Sequence, residues 1–140
     1  MTCAAAHVGY DRSPSVFVAD AMRATAPSVP VDLQIRDAEA LFGERDLASA
    51  WVVDEEGRLV GCLREIDFTR RGEVSPGATV RAIMSAAVCV EARCTLHEAL
   101  VRMARSHVRE LAIVSPEGAL VGVVRDLDGL RVLGGHGSPR

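Results

Sequence analysis

The chain has 140 residues, 49% of them hydrophobic and 25% charged, with a formal net charge of −3. Its sixteen basic residues are all Arg and Lys is absent, which excludes Schiff-base enzymes, Walker A phosphate loops and kinase-type phosphate lysines. Mild acidity argues against a nucleic-acid partner held by bulk charge, and the apolar runs are far shorter than the roughly twenty residues needed to span a bilayer.

The opening stretch MTCAAAHVGYDRSP lacks a basic start followed by an apolar core, so no secretory signal is expected and the cytoplasm is the expected compartment. Residues 1–15 read as a tail. A short apolar segment, Ser28–Val31, predicts a strand. Ile35, Ala38, Leu41 and Phe42 then follow helical spacing. Asp54-Glu55-Glu56-Gly57 suits a type I turn ending on Gly, between the apolar runs Ala50–Val53 and Leu59–Leu63. A second short helix is expected near Glu65–Arg71, and GEVSPGAT (72–79) reads as a linker.

The same order then recurs. Val88–Val90 predicts a strand, and Leu96, Ala99, Leu100 and Met103 a helix. That helix starts on the capping box Thr95-Leu96-His97-Glu98, where the first copy has the poorer cap Gln34. Ser115-Pro116-Glu117-Gly118 is the second turn, between Leu111–Val114 and Leu120–Val124, with a last helix near Asp126–Val132. Both pairs of hairpin runs are apolar without alternation, which predicts sheets covered on both faces. Gly57 and Gly61 match Gly118 and Gly122 at an offset of 61 (118 − 57), as Arg64–Asp67 matches Arg125–Asp128. Met22 and Met84 match at 62. Several blocks kept in one order indicate a duplication. The unit is β-α-β-β-α, its first two strands parallel across the helix. The copies run over 16–71 and 80–132, and 133–140 forms a second tail.

A βαββα unit of this size, repeated in tandem, with Met before its first strand and Gly-x5-Asp after its hairpin, resembles the cystathionine-β-synthase (CBS) domain. Two copies resemble a CBS pair, or Bateman module, over roughly residues 16–132. The resemblance implies an α+β fold, α/β-like, of two tandem repeats packed through their sheets about a pseudo-twofold axis. It implies a regulatory module without catalytic residues, binding AMP, ADP, ATP, S-adenosylmethionine or NAD between repeats, and frequent assembly into homodimers.

Carried onto this chain, the family pattern makes Asp67 and Asp128 acceptors for ribose hydroxyls, since two carboxylate oxygens meet two neighbouring O–H donors. The other reading is an acid favoured in the first turn of a helix. Arg64 and Arg125 stand where the pattern usually has Ser or Thr. Each is either a bidentate phosphate donor or the partner of the Asp three residues on. Arg109 occupies a place that is often basic and phosphate-binding, although a strand-entry charge is also common there. Its counterpart is Ala48, so the better-equipped site joins Asp128, Arg125 and Arg109, with Val88 as an apolar wall.

Gly61 and Gly122 interrupt strands, which marks a bulge or the close approach of a backbone or ligand. Cys89-x4-Cys94-x2-His97 matches no strong zinc signature, so no metal is expected and the four cysteines read as free thiols. The expectation is a stand-alone regulatory module that binds an adenosyl ligand, needs no cofactor, and acts on another protein or on its own assembly. A dimerisation or adaptor module that has lost the ligand is the alternative.

Overall fold

The apolar blocks that recur along the sequence become two three-stranded sheets in the computed structural model, which describes residues 16–24 and 26–137. Strand β1 (Ser28–Pro30) leads through helix α1 (Ile35–Arg45) to β2 (Ser49–Val53) and β3 (Leu59–Arg64). A 3₁₀ helix over Glu65–Glu73 and a 3₁₀ turn over Val80–Ala82 follow. Strand β4 (Cys89–Glu91), helix α2 (Leu96–Ser106), β5 (Glu110–Val114), β6 (Leu120–Arg125) and helix α3 (Asp126–Gly137) repeat the plan. In each sheet the first strand pairs parallel with the second, and the second antiparallel with the third. The fold is therefore α+β, built from two copies of one mixed-sheet unit. Strand β4 lies one residue beyond the expected segment, because the ladder opens on Cys89 opposite Ala112. Val88 only lends its carbonyl to the Ala112 N–H.

The hairpins follow the turn chemistry. Gly57 and Gly118 take φ of 81° and 91°, a backbone that other residues adopt only with strain. The Asp54 carboxylate accepts the N–H groups of Glu56 and Arg58, and the Ser115 hydroxyl accepts that of Ala119. The Arg58 N–H is the chief reason that the Asp54 carboxyl lies below its usual range. The central strands β2 and β5 are buried at consecutive positions, as expected of a covered sheet, whereas β3 alternates.

The helix ends differ between copies at one end only. The Thr95 hydroxyl accepts the Glu98 N–H at 3.1 Å, the side-chain cap that Gln34 does not provide. Both helices stop on a left-handed residue, Asp46 (φ 53°) and His107 (φ 56°). After the hairpins the copies diverge more. The first has a 3₁₀ helix, within which the Thr69 hydroxyl donates to the Ile66 carbonyl three residues back. The second has a true α-helix running past the expected end. Phe68 stacks edge-on against Phe42, ring centroids 5.0 Å apart. Gly129, its counterpart, lets α3 close against Leu96 and Leu100 of α2.

The chain forms two compact units, and each contains a segment from outside its own βαββα run. One unit is residues 26–87. Its core of Val29, Ile35, Ala38, Phe42, Val52 and Leu63 is completed by Val80 and Ile83. The other joins residues 16–24 to 88–137, and Val18 and Ala21 complete its core of Val90, Leu96, Leu111, Ile113 and Val124. Val18 is fully buried, contributing about 2 kcal/mol. The two backbone bonds between Arg23 and Val123 add about 1 kcal/mol each, so packing and pairing hold the segment in similar measure.

Candidate functional site

In the first unit, β3 carries Gly61 where the chain leading out of the 3₁₀ turn crosses it. A Cβ there would lie 2.7 Å from Met84 Sδ and 2.9 Å from the Ser85 carbonyl oxygen. Gly61 thus marks a close backbone approach. Cys62 and Ser85 exchange both backbone hydrogen bonds, at 2.8 and 2.9 Å. This brings the Ser85 hydroxyl to Asp67, donating to Oδ1 at 2.9 Å. The Arg64 N–H fills Oδ2 at 2.8 Å and its Nε lies 3.8 Å away. Asp67 is 3% exposed. A buried carboxylate needs such donors to offset its lost hydration, and both of its oxygens are engaged.

The second unit repeats the crossing with different side chains. Gly122 receives Met22 and Arg23: a Cβ would meet the Arg23 carbonyl oxygen at 2.7 Å and Met22 Sδ at 3.0 Å. Arg23 and Val123 exchange backbone bonds of 2.7 and 2.9 Å. The guanidinium then grips Asp128, Nε to Oδ2 at 3.1 Å and Nη2 to Oδ1 at 3.4 Å. Arg131 Nη1 stands 3.7 Å from Oδ1. The side chain of Asp128 is 14% exposed and that of Arg23 56%, so this carboxylate is held by largely solvated cations.

The expected residues are only partly brought together. Arg64 does meet the Asp three residues on, chiefly through its backbone. Arg125 turns instead to Glu110, its cross-strand neighbour, at 3.2 Å. Arg109 is exposed and its carbonyl accepts the Asp126 N–H at 2.9 Å, so its backbone anchors the start of α3. Val88 is half-buried against the core of its unit. Ser85, Arg23 and Arg131 were not anticipated. The match of Met22 to Met84 carried the signal: one residue further on, it aligns Arg23 with Ser85.

Two clefts of the first unit, of about 280 and 360 Å³, are lined by none of the six expected residues. The first is bordered by Arg36, Glu39 and Arg71, of which Glu39 and Arg71 are paired with each other. Among the described residues no three His, Cys, Asp or Glu side chains are grouped to hold a metal, and no helix is long and apolar enough to cross a membrane. The reading of four free thiols needs correction at Cys89, which is disulfide-bonded. Cys62 and Cys94 are free. Burial raises both thiol pKa values, that of Cys94 to about 11. Cys3 lies outside the described residues.

Comparison with known proteins bears on these observations. The sequence model of the CBS domain matches residues 18–73 and again 80–135. No curated protein matches the chain. Among solved structures, an uncharacterised conserved protein from Pyrococcus horikoshii is 29% identical, with a TM-score of 0.70 over 84% of this chain and 54% of that one. The chain thus spans about half the length of that relative. The cytosolic domain of the Mg²⁺ channel MgtE, solved in complex with ATP, is 27% identical with a TM-score of 0.68. That match covers 79% of this chain and 46% of the other. Hypoxic response protein I, solved with two coordinated zinc ions, is 25% identical with a TM-score of 0.75, over 84% and 98%.

Proposed function

The chain belongs to the CBS domain family, carrying two copies of the domain, and on that basis we propose that it is a cytoplasmic regulatory module that binds an adenosine-containing ligand. Its role is binding rather than catalysis: ligand shifts the population of two states that a partner protein, or a second copy of the chain, distinguishes. Asp128 is the observation that carries this reading. A partly exposed carboxylate, held by solvated guanidinium groups, is free to exchange them for the two hydroxyls of a ribose. Arg125 and Arg109 supply positive charge near the start of α3, and Val88 an apolar surface for the base. ATP bound to the related MgtE domain supports the ligand class. Asp67 and Arg64 form the lesser-equipped counterpart.

Binding is tested by calorimetry of the full chain with AMP, ADP, ATP, S-adenosylmethionine and NAD. Saturable binding by at least one, lost in Asp128→Ala, is the expected result. No binding by any of the five defeats the proposal.

A ligand-free dimerisation or adaptor module is the second reading, favoured by the closed state of Asp67 and by Arg in place of both usual hydroxyl residues. Ile66 and Leu127, equivalent in the two copies, are 62% and 67% exposed, and they support a homodimer under either reading. Light scattering on wild type and on Ile66→Glu/Leu127→Glu tests this. A monomeric wild type removes it.

A further inference from the structure

Arg23 and Ser85 occupy the same backbone place in the two units, each paired with the third strand just beyond a glycine. Their side chains do opposite things to the neighbouring carboxylate. Ser85 is short and closes Asp67 in the interior. Arg23 is long, half-solvated and covers both oxygens of Asp128 from outside. We infer that Arg23 makes the Asp128 site select phosphate-bearing ligands over uncharged ones, by exchanging its hold on Asp128 for a hold on the ligand's anionic group. This rests on the ligand-binding reading above and specifies the ligand's charge.

The exchange follows from the geometry. A ribose diol reaching Asp128 must displace the Arg23 fork, since Nε and Nη2 span the two oxygens that the hydroxyls need. Displacement is cheap, because an exposed ion pair contributes little. The freed guanidinium does not leave: its backbone remains tied to Val123 by two hydrogen bonds. Arg also keeps its charge at every physiological pH. A ligand without negative charge removes the ion pair and returns nothing to the guanidinium. A phosphate meets the same planar fork with two parallel bonds. Arg131 stays beside Asp128 and adds to the local positive charge.

Calorimetric titration of adenosine, AMP and ATP into the full chain and into Arg23→Ser, which copies the other unit, tests the inference. Wild type is expected to bind AMP or ATP at least about tenfold more tightly than adenosine, the scale of one charge-assisted contact. In Arg23→Ser that ratio falls toward one, while adenosine binding is kept or tightened. Arg23→Gln, similar in length but uncharged, is expected to behave alike and serves if the serine variant fails to fold. A wild-type ratio near one overturns the inference, as does a ratio unchanged in either folded variant. Binding of S-adenosylmethionine or NAD without any of AMP, ATP or adenosine also overturns the inference, whereas failure of wild type to bind adenosine or any of the five ligands above defeats the ligand-binding reading itself.

Discussion

Ser85 donates its hydroxyl to Oδ1 of Asp67 across 2.9 Å. The bond joins the end of a crossing segment to the first turn of a 3₁₀ helix and helps to hold the buried Asp67 carboxylate in place. Asp67→Ala is expected to lower stability by about 2–3 kcal/mol, the cost of charged hydrogen bonds lost from the interior. Asp128→Ala, whose partners are solvated guanidinium groups, should cost about 1 kcal/mol or less. Urea unfolding of both variants checks the ranking, and equal losses would contradict it.

Alanine at either strand glycine is the sharper probe of the crossings. In Gly122→Ala the new Cβ lies 2.7 Å from a carbonyl oxygen of Arg23, and backbone does not yield as a flexible side chain does. We expect a loss of about 1–3 kcal/mol, typical of overpacking, and release of residues 16–24 from the unit. Gly57→Ala serves as a contrast: its penalty comes from φ of 81°, with no atom within 4 Å of the added Cβ. Amide exchange at Arg23 and Val123 separates the two cases, rising only in Gly122→Ala.

The caps give a pair of opposite-signed changes. Thr95→Ala removes the acceptor for the Glu98 N–H and should cost about 1 kcal/mol. Gln34 has the extended backbone of an N-cap, φ −67° and ψ 146°, without a side-chain bond. Gln34→Ser should therefore stabilise by about 0.5–1 kcal/mol. Thermal melts of the two variants should move in opposite directions.

Much of this architecture was legible in the sequence because it is local. Thr95 with Glu98, the turn glycines and the 3.6-residue spacing from Ile35 to Phe42 each fix one element from neighbouring residues. The crossings were legible only as a close approach at Gly61 and Gly122; which segments approach was not, because Arg23 and Val123 meet through backbone groups, which carry no residue code. The partners of the arginines were also hidden. Arg125 follows a strand register to Glu110 that only the folded hairpin defines, and Asp128 is met by Arg23, 105 residues away. What did show was the duplication, and its one-residue change of offset at the methionines lies where the crossings occur.

The thiols predict a pH dependence. Burial is the main cause of the raised Cys94 pKa of about 11, helped by Glu98. At pH 8 only about one molecule in a thousand carries the thiolate that reacts with iodoacetamide. Labelling of Cys94 in the native protein should stay slow at pH 8 and quicken toward pH 11, and rapid labelling at pH 8 would contradict its burial. Because the folded pKa exceeds the ordinary thiol value of 9.0, this group's stabilising contribution is complete below pH 9. It is lost as pH rises from 9 to 11, when the unfolded chain releases the proton first.

The crossing of residues 16–24 into the later unit constrains how the protein is made. On the ribosome these residues emerge early, yet the strand that receives Arg23 is completed only after Val123 has been synthesised. Vectorial assembly, in which each stretch joins the structure as it emerges, is therefore closed to residues 16–24. The first βαββα run must wait for Val80 and Ile83, and residues 16–24 for the strand that contains Val123. Pairings so distant in sequence slow folding. They also make the two halves natural candidates for complementation: fragments divided within 72–79 each hold the piece that the other lacks, and should regain the fold only when expressed together.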